Sequence, residues 1–380
     1  MGKARGYDRR SMRDAAAAFV RDVVRPAVAG WDEAGAYPRA AVAASGLTGL
    51  FCAPEVGGAG LGYPAGMEVF EELGRGDAAL AFSLSMHNAV AAVVAGCDDE
   101  ALRAGWAADL VAGRALGGFS LTEPHAGSDA TAITTRARQE GDGWRVTGRK
   151  AWVSLAGEAD LFLVVCRTTD GPGHADVAVL AVDRRAEGVS FPRLYRKAAS
   201  AFLPIGEMAL TDAPATMLVP PGAGMRAALG AIDVARCDIA AIACGLHAEA
   251  LDIALRHTRE REAFGAPLLA LDTMRFTLAD VLTDLEAGRL LYARAASLLG
   301  GPAGPVAVAH AKRFCPDAAL RAAIACSEAL GAYGWLEDTP LPRFISLAKM
   351  LQVVDGTAEI QRLVIGRELD RMASSRSPRD

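Results

Sequence analysis

Two changes of hydrophobic period divide this chain. From residue 12 to about 115 the apolar positions recur every three to four residues, as on helices. From about 116 to 222 they alternate or gather in short Val/Leu-rich blocks, and from Gly224 onward the helical spacing returns. A helix-period segment does not settle as a strand, nor the reverse, so the chain must fold as helices, then strands, then helices. Its 380 residues are too many for one small core. The expected architecture is α+β and mainly α. It has an N-terminal α-helical domain over 1–115, a compact middle β domain over 116–223, and a C-terminal helical bundle over 224–380.

The punctuation refines this layout. Ala15–Val24 reads as helix, with Pro26 closing it or bending the chain. Ala53–Gly62 is a Gly-dense stretch without the lysine and preceding buried strand of a phosphate-binding loop, so it reads as an ordinary loop. Helix resumes over Pro64–Leu73 and Ala78–Gly96, and His87 there reads as a satisfied interior histidine rather than a ligand. In the middle part Gly143–Gly148 followed by Ala151–Ser154 looks like a hairpin. Asp160–Cys166, Val177–Val182 and Glu207–Leu210 are further strands, and Asp170–Gly173 is an exposed turn. In the last part Ala227–Arg256, Leu271–Leu299, Val306–Leu330 and Thr357–Met372 carry helical spacing, with Gly300–Pro305 as a helix-breaking loop. Four long antiparallel helices with short connections make a four-helix bundle. Their broad apolar faces fit self-association or internal packing equally.

Composition excludes several classes. A net charge of −5 gives no basic footprint for nucleic acid. The seven cysteines show neither a C-x-x-C pair nor metal-like spacing and read as small buried hydrophobes of a reducing compartment, so no metal is expected. The charged start, Met1–Asp8, lacks the apolar core of a signal peptide, and Gly6 stands where a myristoylation signal needs Ser or Thr. No apolar run is read as long enough to span a membrane. The expected compartment is the cytoplasm, and the tail Ser374–Asp380 is expected to fray.

At the first change of period stands Phe119-Ser-Leu-Thr-Glu-Pro-His-Ala-Gly-Ser-Asp129. Hydroxyls, a freeing glycine and a Pro-stiffened turn suit a loop that lays donors along a flat, polar-edged ligand; an ordinary interdomain turn reads the same residues as well. About 25 residues on stands Lys150-Ala-Trp-Val-Ser154. Together these resemble the T-E-P-x-A-G-S-D and K-x-W-I-T-N blocks of the acyl-CoA dehydrogenase family of flavoproteins. Three more blocks extend the resemblance over almost the whole chain. Arg259–Leu268 resembles R-x-x-F-G-x-x-L, Glu328–Gly334 resembles Q-x-x-G-G-x-G, and Val354–Arg362 resembles E-G-T-x-E-I-Q-R.

The resemblance implies an FAD site. Phe119, Leu121, Thr122 and Ser128 fall where the family lines the flavin ring and pyrophosphate. Trp152 would stack on the ring and Ser154 would donate near flavin N5, with Leu155 standing where the family has Asn. Arg261 and Phe264 match the residues that reach the cofactor of a neighbouring subunit, and a guanidinium fork does suit a pyrophosphate. Glu328, Gly331 and Thr357 complete the implied cofactor set, with Glu328 replacing Gln and Ala332 replacing Gly. Asp355 stands where most of the family has its catalytic glutamate; as a residue just before a helix it also reads as an N-cap. The alternate base position of another branch holds Ala235. Asp233, Arg236 and Gly356 match substrate positions, the first two near the pantetheine arm, and Lys197–Pro204 departs from the family's pattern beside the substrate entry.

The implied reaction is α,β-dehydrogenation of an acyl thioester carried on CoA or a carrier protein. Asp355 would take the α-proton and flavin N5 the β-hydride, with electrons leaving to an electron-transfer flavoprotein or similar acceptor. The implied assembly is a homodimer or homotetramer. Two competitors carry different consequences. One is a flavin oxidase of the same fold, resembling the nitroalkane oxidase branch in its aspartate. The other is a flavin-binding homologue without turnover.

Overall fold

A computed structural model describes residues 9–169 and 175–375. The expected turn at Asp170–Gly173 and the extreme tail lie outside them. The described chain begins with helices α1 (Arg9–Phe19), α2 (Arg25–Ala34), α3 (Arg39–Ala44), α4 (Tyr63–Gly76), α5 (Ala78–Ala95) and α6 (Glu100–Val111). Strands β1 (Gly117–Ser120), β2 (Arg136–Glu140), β3 (Gly143–Ser154), β4 (Leu161–Arg167), β5 (Val177–Asp183), β6 (Val189–Leu194) and β7 (Ile205–Val219) follow. The rest comprises α7 (Gly224–Glu260), the short strands β8 (Glu262–Ala263) and β9 (Ala266–Pro267), and helices α8 (Asp272–Leu298), α9 (Gly304–Ala329), α10 (Leu341–Val353) and α11 (Ala358–Ser375). The chain divides into two compact units. One holds residues up to 19, 26–62 and 83–235; the other holds 20–25, 63–82 and 236 onward.

In the first unit the strands close on themselves. The order β4-β2-β3-β7-β5 returns to β4 through a full antiparallel β4–β5 ladder, so five strands form a ring, with β1 alongside β4 and β6 alongside β7. The β2–β4 link is a single parallel pair, Arg136 with Arg167. Every residue of β4 from Leu161 to Cys166 is buried. Such a continuous apolar run marks a strand covered on both faces, and it explains why sequence alternation fades there.

Three local expectations change. Gly143–Ser154 is one strand, not a hairpin. Its hairpin partner is β2, and the glycine that suggested a turn, Gly148, sits at a register shift where a Cβ would lie 2.4 Å from Thr135 Oγ1. Pro26 does not close the first helix. Val20–Val24 widens to a π-helical segment and helix continues beyond the proline. A proline cannot bond the carbonyl four residues back and crowds it, and a π segment just upstream relieves both problems. Finally, α5 is long and apolar enough to cross a membrane, with a mean hydropathy of 1.6, but 78% of it is buried inside the protein as core.

His87 on α5 is fully buried, as expected of an interior histidine. Gly117 N–H donates to Nδ1, so the proton sits on Nε2, which reaches the carbonyls of Thr48 and Leu110. Burial drives its pKa down to about 4, so the ring is neutral, and it anchors the first residue of β1. In the second unit α8, α9, α10 and α11 pack around one another, α10 being a helix beyond the expected four. Its buried residues Leu341, Phe344, Leu347, Ala348 and Leu351 lie on one face.

Candidate active site

The first unit presents a loop held from behind. Strand β1 delivers Phe119 half-buried and Leu121 buried, and the chain then turns through Thr122–Asp129, where Glu123 and Ala126 exchange backbone hydrogen bonds. Glu123 is 2% exposed and points inward. Its Oε1 accepts from Lys150 Nζ (2.8 Å) and Thr135 N–H (2.9 Å), and its Oε2 from the N–H and hydroxyl of Thr134 (2.8 Å each). Lys150, wholly buried on β3, also donates to Leu121 O at 2.9 Å, and Ala151 N–H donates to Thr122 O at 2.9 Å. Burial alone would push Glu123 up, but Lys150 and the convergent donors outweigh it and hold the carboxyl at about 2. Burial depresses Lys150, and Glu123 offsets it. The charged pair rivets the Thr122 loop to β3, which is why these two sequence blocks belong together.

What the rivet leaves free is the candidate binding surface. Among the described residues the hydroxyls of Thr122, Ser128 and Ser154 make no hydrogen bond within the protein. Trp152 is 65% exposed and stacks at 4.5 Å on Tyr195. Its φ of 58° lies in the left-handed region, unfavourable for so bulky a residue, at a register shift of β3. Backbone strain of this kind persists only where the surrounding structure enforces it, and it clusters at ligand sites. Leu155 is also left-handed (φ 57°) and fully buried. Asn, the family's residue there, tolerates that conformation, whereas Leu stabilises it only through its apolar burial. A planar group with hydrogen-bonding edges fits this surface, with Trp152 for its face and three unspent hydroxyls for its rim.

The second unit carries the other candidates. Glu262–Pro267 is a two-residue hairpin with Phe264 (φ 54°) and Gly265 (φ 80°) at its tip, a turn that favours Asn-Gly. Phe264 is nevertheless placed there, 95% exposed, beside an exposed Arg261 whose guanidinium has no ionic partner among the described residues. Glu328 and Ala332 are exposed. Ala332 has no positive φ, so its methyl costs nothing in the backbone; the glycine that cannot be replaced is Gly334, where a Cβ would lie 2.1 Å from Ser327 O. Gly331 supplies the left-handed φ (59°) that ends α9.

Asp355 occupies the turn between α10 and α11 with a left-handed φ of 52°. It is not the N-cap of α11: Thr357 stands in that position, its carbonyl accepting the Gln361 N–H at 3.2 Å. The Asp355 carbonyl instead accepts from Arg236 Nε at 2.7 Å, and Gln361 Nε2 donates to Gly356 O at 3.1 Å. Gly356 (φ 101°) has no room for a side chain, since a Cβ would meet Arg236 Nη2 at 2.8 Å. Arg236, on α7, therefore braces the Asp355 turn from behind. Asp355 Oδ2 is sealed from solvent and has no hydrogen-bond partner. Burial raises the carboxyl's pKa, and the charges of Lys312 and Arg236 pull against that. Asp233 lies half-buried on the part of α7 that belongs to the first unit.

The first unit thus offers a strained aromatic with free hydroxyls, and the second a carboxylate on a braced turn with one oxygen sealed and unpartnered. Comparison with known proteins names the family. Profiles of the acyl-CoA dehydrogenase N-terminal, middle and C-terminal domains match residues 7–114, 118–213 and 222–369. The human mitochondrial short-chain specific acyl-CoA dehydrogenase is 32% identical over 361 residues, covering 93% of this chain and 88% of that one. The structure of butyryl-CoA dehydrogenase from Megasphaera elsdenii superposes with a TM-score of 0.90 at 28% identity, covering 98% of this chain and 99% of that one. A glutaryl-CoA dehydrogenase from Mycobacterium smegmatis, solved in complex with FADH2, gives a TM-score of 0.88 at 25% identity, with 97% and 96% covered. The chain belongs to the acyl-CoA dehydrogenase family and is an FAD-dependent oxidoreductase.

Glu123 and Lys150 stand inside the first two motif blocks but were not among the site residues drawn from them, and Lys312 lies outside every block. A signal was present in each case. Lys312 falls on the apolar stripe of α9, four residues after Val308 and three before Cys315, and Lys150 stands between the buried Val146 and Val153 on β3. A charge on an inward phase is not a surface residue.

Proposed function

We propose that the protein desaturates the Cα–Cβ bond of an acyl-CoA, with Asp355 as the base that removes the α-proton. The observation that carries this reading is the Asp355 carboxylate, with Oδ2 sealed and unpartnered and its basicity raised, on a turn that Arg236 braces and Gly356 shapes. A base with an oxygen free of competing donors and a raised pKa is what proton abstraction beside a thioester requires. Bound FAD supplies the acceptor for the β-hydrogen and its electron pair. Thr122, Ser128 and Ser154 would donate to the ring edge and phosphates, and Trp152 would cover the ring face. Phe119 and Leu121 would line it, and Arg261 would pair with the pyrophosphate. Asp233 and Arg236 remain the candidates for the pantetheine arm, Arg236 in addition to its bracing role. Glu328, Gly331 and Thr357 lie at the implied adenine and ribityl ends.

Phe264 and Arg261, exposed on a strained tip and with no ionic partner for Arg261 among the described residues, support a homodimer or homotetramer in which they reach a second copy's cofactor. A stable monomer that keeps FAD, seen by light scattering, would remove that part. An electron-transfer flavoprotein is the proposed acceptor, and the cytoplasm the proposed compartment. The deciding experiment is anaerobic mixing of the yellow holoprotein with a panel of acyl-CoA and acyl-carrier-protein thioesters. Bleaching by a thioester supports the reading. Bleaching by nitroalkanes alone, or rapid peroxide formation in air, favours the oxidase, and no bleaching by any substrate sinks both.

A further inference from the structure

The buried ammonium that faces the base has no part in the reaction as derived so far. Lys312 on α9 is 2% exposed, and its Nζ donates to Leu351 O at 2.7 Å, in the last turn of α10 four residues before Asp355. One helical turn further along α9 stands Pro316, a residue that removes the N–H which would otherwise bond the Lys312 carbonyl. An ammonium so deep in a bundle is unfavourable without negative partners. The segment it touches supplies two, the carbonyl end of α10 and the Asp355 carboxylate beyond it.

We propose that Lys312 is the positioning residue of the base: it pins the end of α10 from which the Asp355 turn hangs, and it sets a fixed positive charge opposite that carboxylate. This rests on the reading of Asp355 as the base. Of the two cations that act on the carboxylate, Lys312 acts the more strongly and Arg236 next. From α7 comes Arg236, whose Nε is committed to the Asp355 backbone carbonyl. From α11 comes Gln361, which is neutral and bonds Gly356 O. On α9 itself, Asp317 and Cys315 act on Lys312, and Asp317 is held by Gln352 Nε2 at 2.7 Å. Burial lowers Lys312 to about 8, with Asp355 pulling it back up, so it is charged at neutral pH. A cation that stays charged below about pH 8 favours the ionised form of Asp355 and so opposes the rise that the carboxylate's own burial causes.

The test uses FAD-loaded enzyme carrying Lys312→Gln, which keeps a donor for Leu351 O and drops the charge. Two readouts follow Asp355. The first is the pH profile of flavin reduction by butyryl-CoA. The variant should slow on the order of ten-fold at the acidic end and little on the alkaline plateau, because losing a nearby cation raises a carboxyl's pKa. The second needs no turnover: an infrared pH titration, taken as the difference from Asp355→Asn, in which the protonated carboxyl of the variant should persist to higher pH. Lys312→Arg should restore both in part. If Lys312→Gln folds and neither the acid limb nor the carboxyl titration moves, or if only thermal stability falls, Lys312 is merely structural and the proposal is overturned. If Asp355→Asn still reduces its flavin at the parent rate, the base reading fails, while the infrared titration still decides whether Lys312 governs that carboxyl.

Discussion

Glu123 is a buried carboxylate and Asp355 a half-buried one with Oδ2 sealed, and the protein treats them in opposite ways. Glu123 meets an ammonium, two backbone N–H groups and a hydroxyl, and is held at about 2. Asp355 has its carbonyl bonded and its backbone braced, while Oδ2 faces no donor and the carboxyl's pKa is raised. A carboxylate whose lone pairs are all used is scaffold. One whose lone pairs are left unspent, on a turn that cannot relax to satisfy them, retains reactivity, since a buried polar group without partners persists only where the surrounding structure enforces it. The same charge type thus marks the fixed part of the site and its reactive part, and the hydrogen-bond partners tell them apart.

The largest expected effect is kinetic. Asp355→Asn should load FAD as the parent does and lose flavin reduction by on the order of 1,000-fold, the scale of a general base. Stopped-flow reduction by the best thioester measures it. A rate near the parent's would erase the contrast, leaving Asp355 a second structural acid.

Next is stability. Glu123→Gln or Lys150→Met leaves a buried charge unpaired and should cost roughly 3–5 kcal/mol in urea unfolding, with FAD content falling in step as the Thr122 loop loosens. The double replacement should recover part of that loss. Glu123's folded pKa lies below its ordinary 4.5, so its contribution is present above pH 4.5 and disappears as pH falls toward about 2. The parent should lose stability through that window and Glu123→Gln should lose distinctly less. Equal acid sensitivity would show that the pair does not hold the loop.

Much of this was legible before the fold. The change of period gave the three-part order, and Thr122, Trp152 and Asp355 were drawn as candidates from motif resemblance. The hairpin at 143–154 misled because a glycine at a register shift looks locally like a glycine at a turn; only the Thr135 side chain packed against it distinguishes the two. Helix α10 hid behind Pro340 and Pro342, although proline in a first helical turn is harmless and its apolar spacing was regular. Strand β6 carries Pro192, tolerable because β6 pairs on one side only, with β7. The partners of Glu123 and the isolation of Asp355 were out of reach, since both depend on what surrounds an atom in space.

The smallest expected effect probes that isolation directly. Asp355→Asn should change the unfolding free energy at neutral pH by less than about 1 kcal/mol, far below the cost at Glu123, because two terms oppose each other. Removing the carboxylate removes its own burial penalty, which the raised pKa expresses: the ionised form is disfavoured in the folded state above both its folded and its ordinary pKa. It also strips Lys312 of a counter-charge, deepening the penalty that already lowers that ammonium to about 8. The second term exists only while Lys312 is protonated. Any destabilisation by Asp355→Asn should therefore be greatest below pH 8 and fade above it, and urea unfolding on both sides of that value measures the change. A loss as large as that of Glu123→Gln, unchanged by pH, would mean that Asp355 is held by bonds equivalent to those of Glu123, and that the distinction between fixed and reactive carboxylate is wrong.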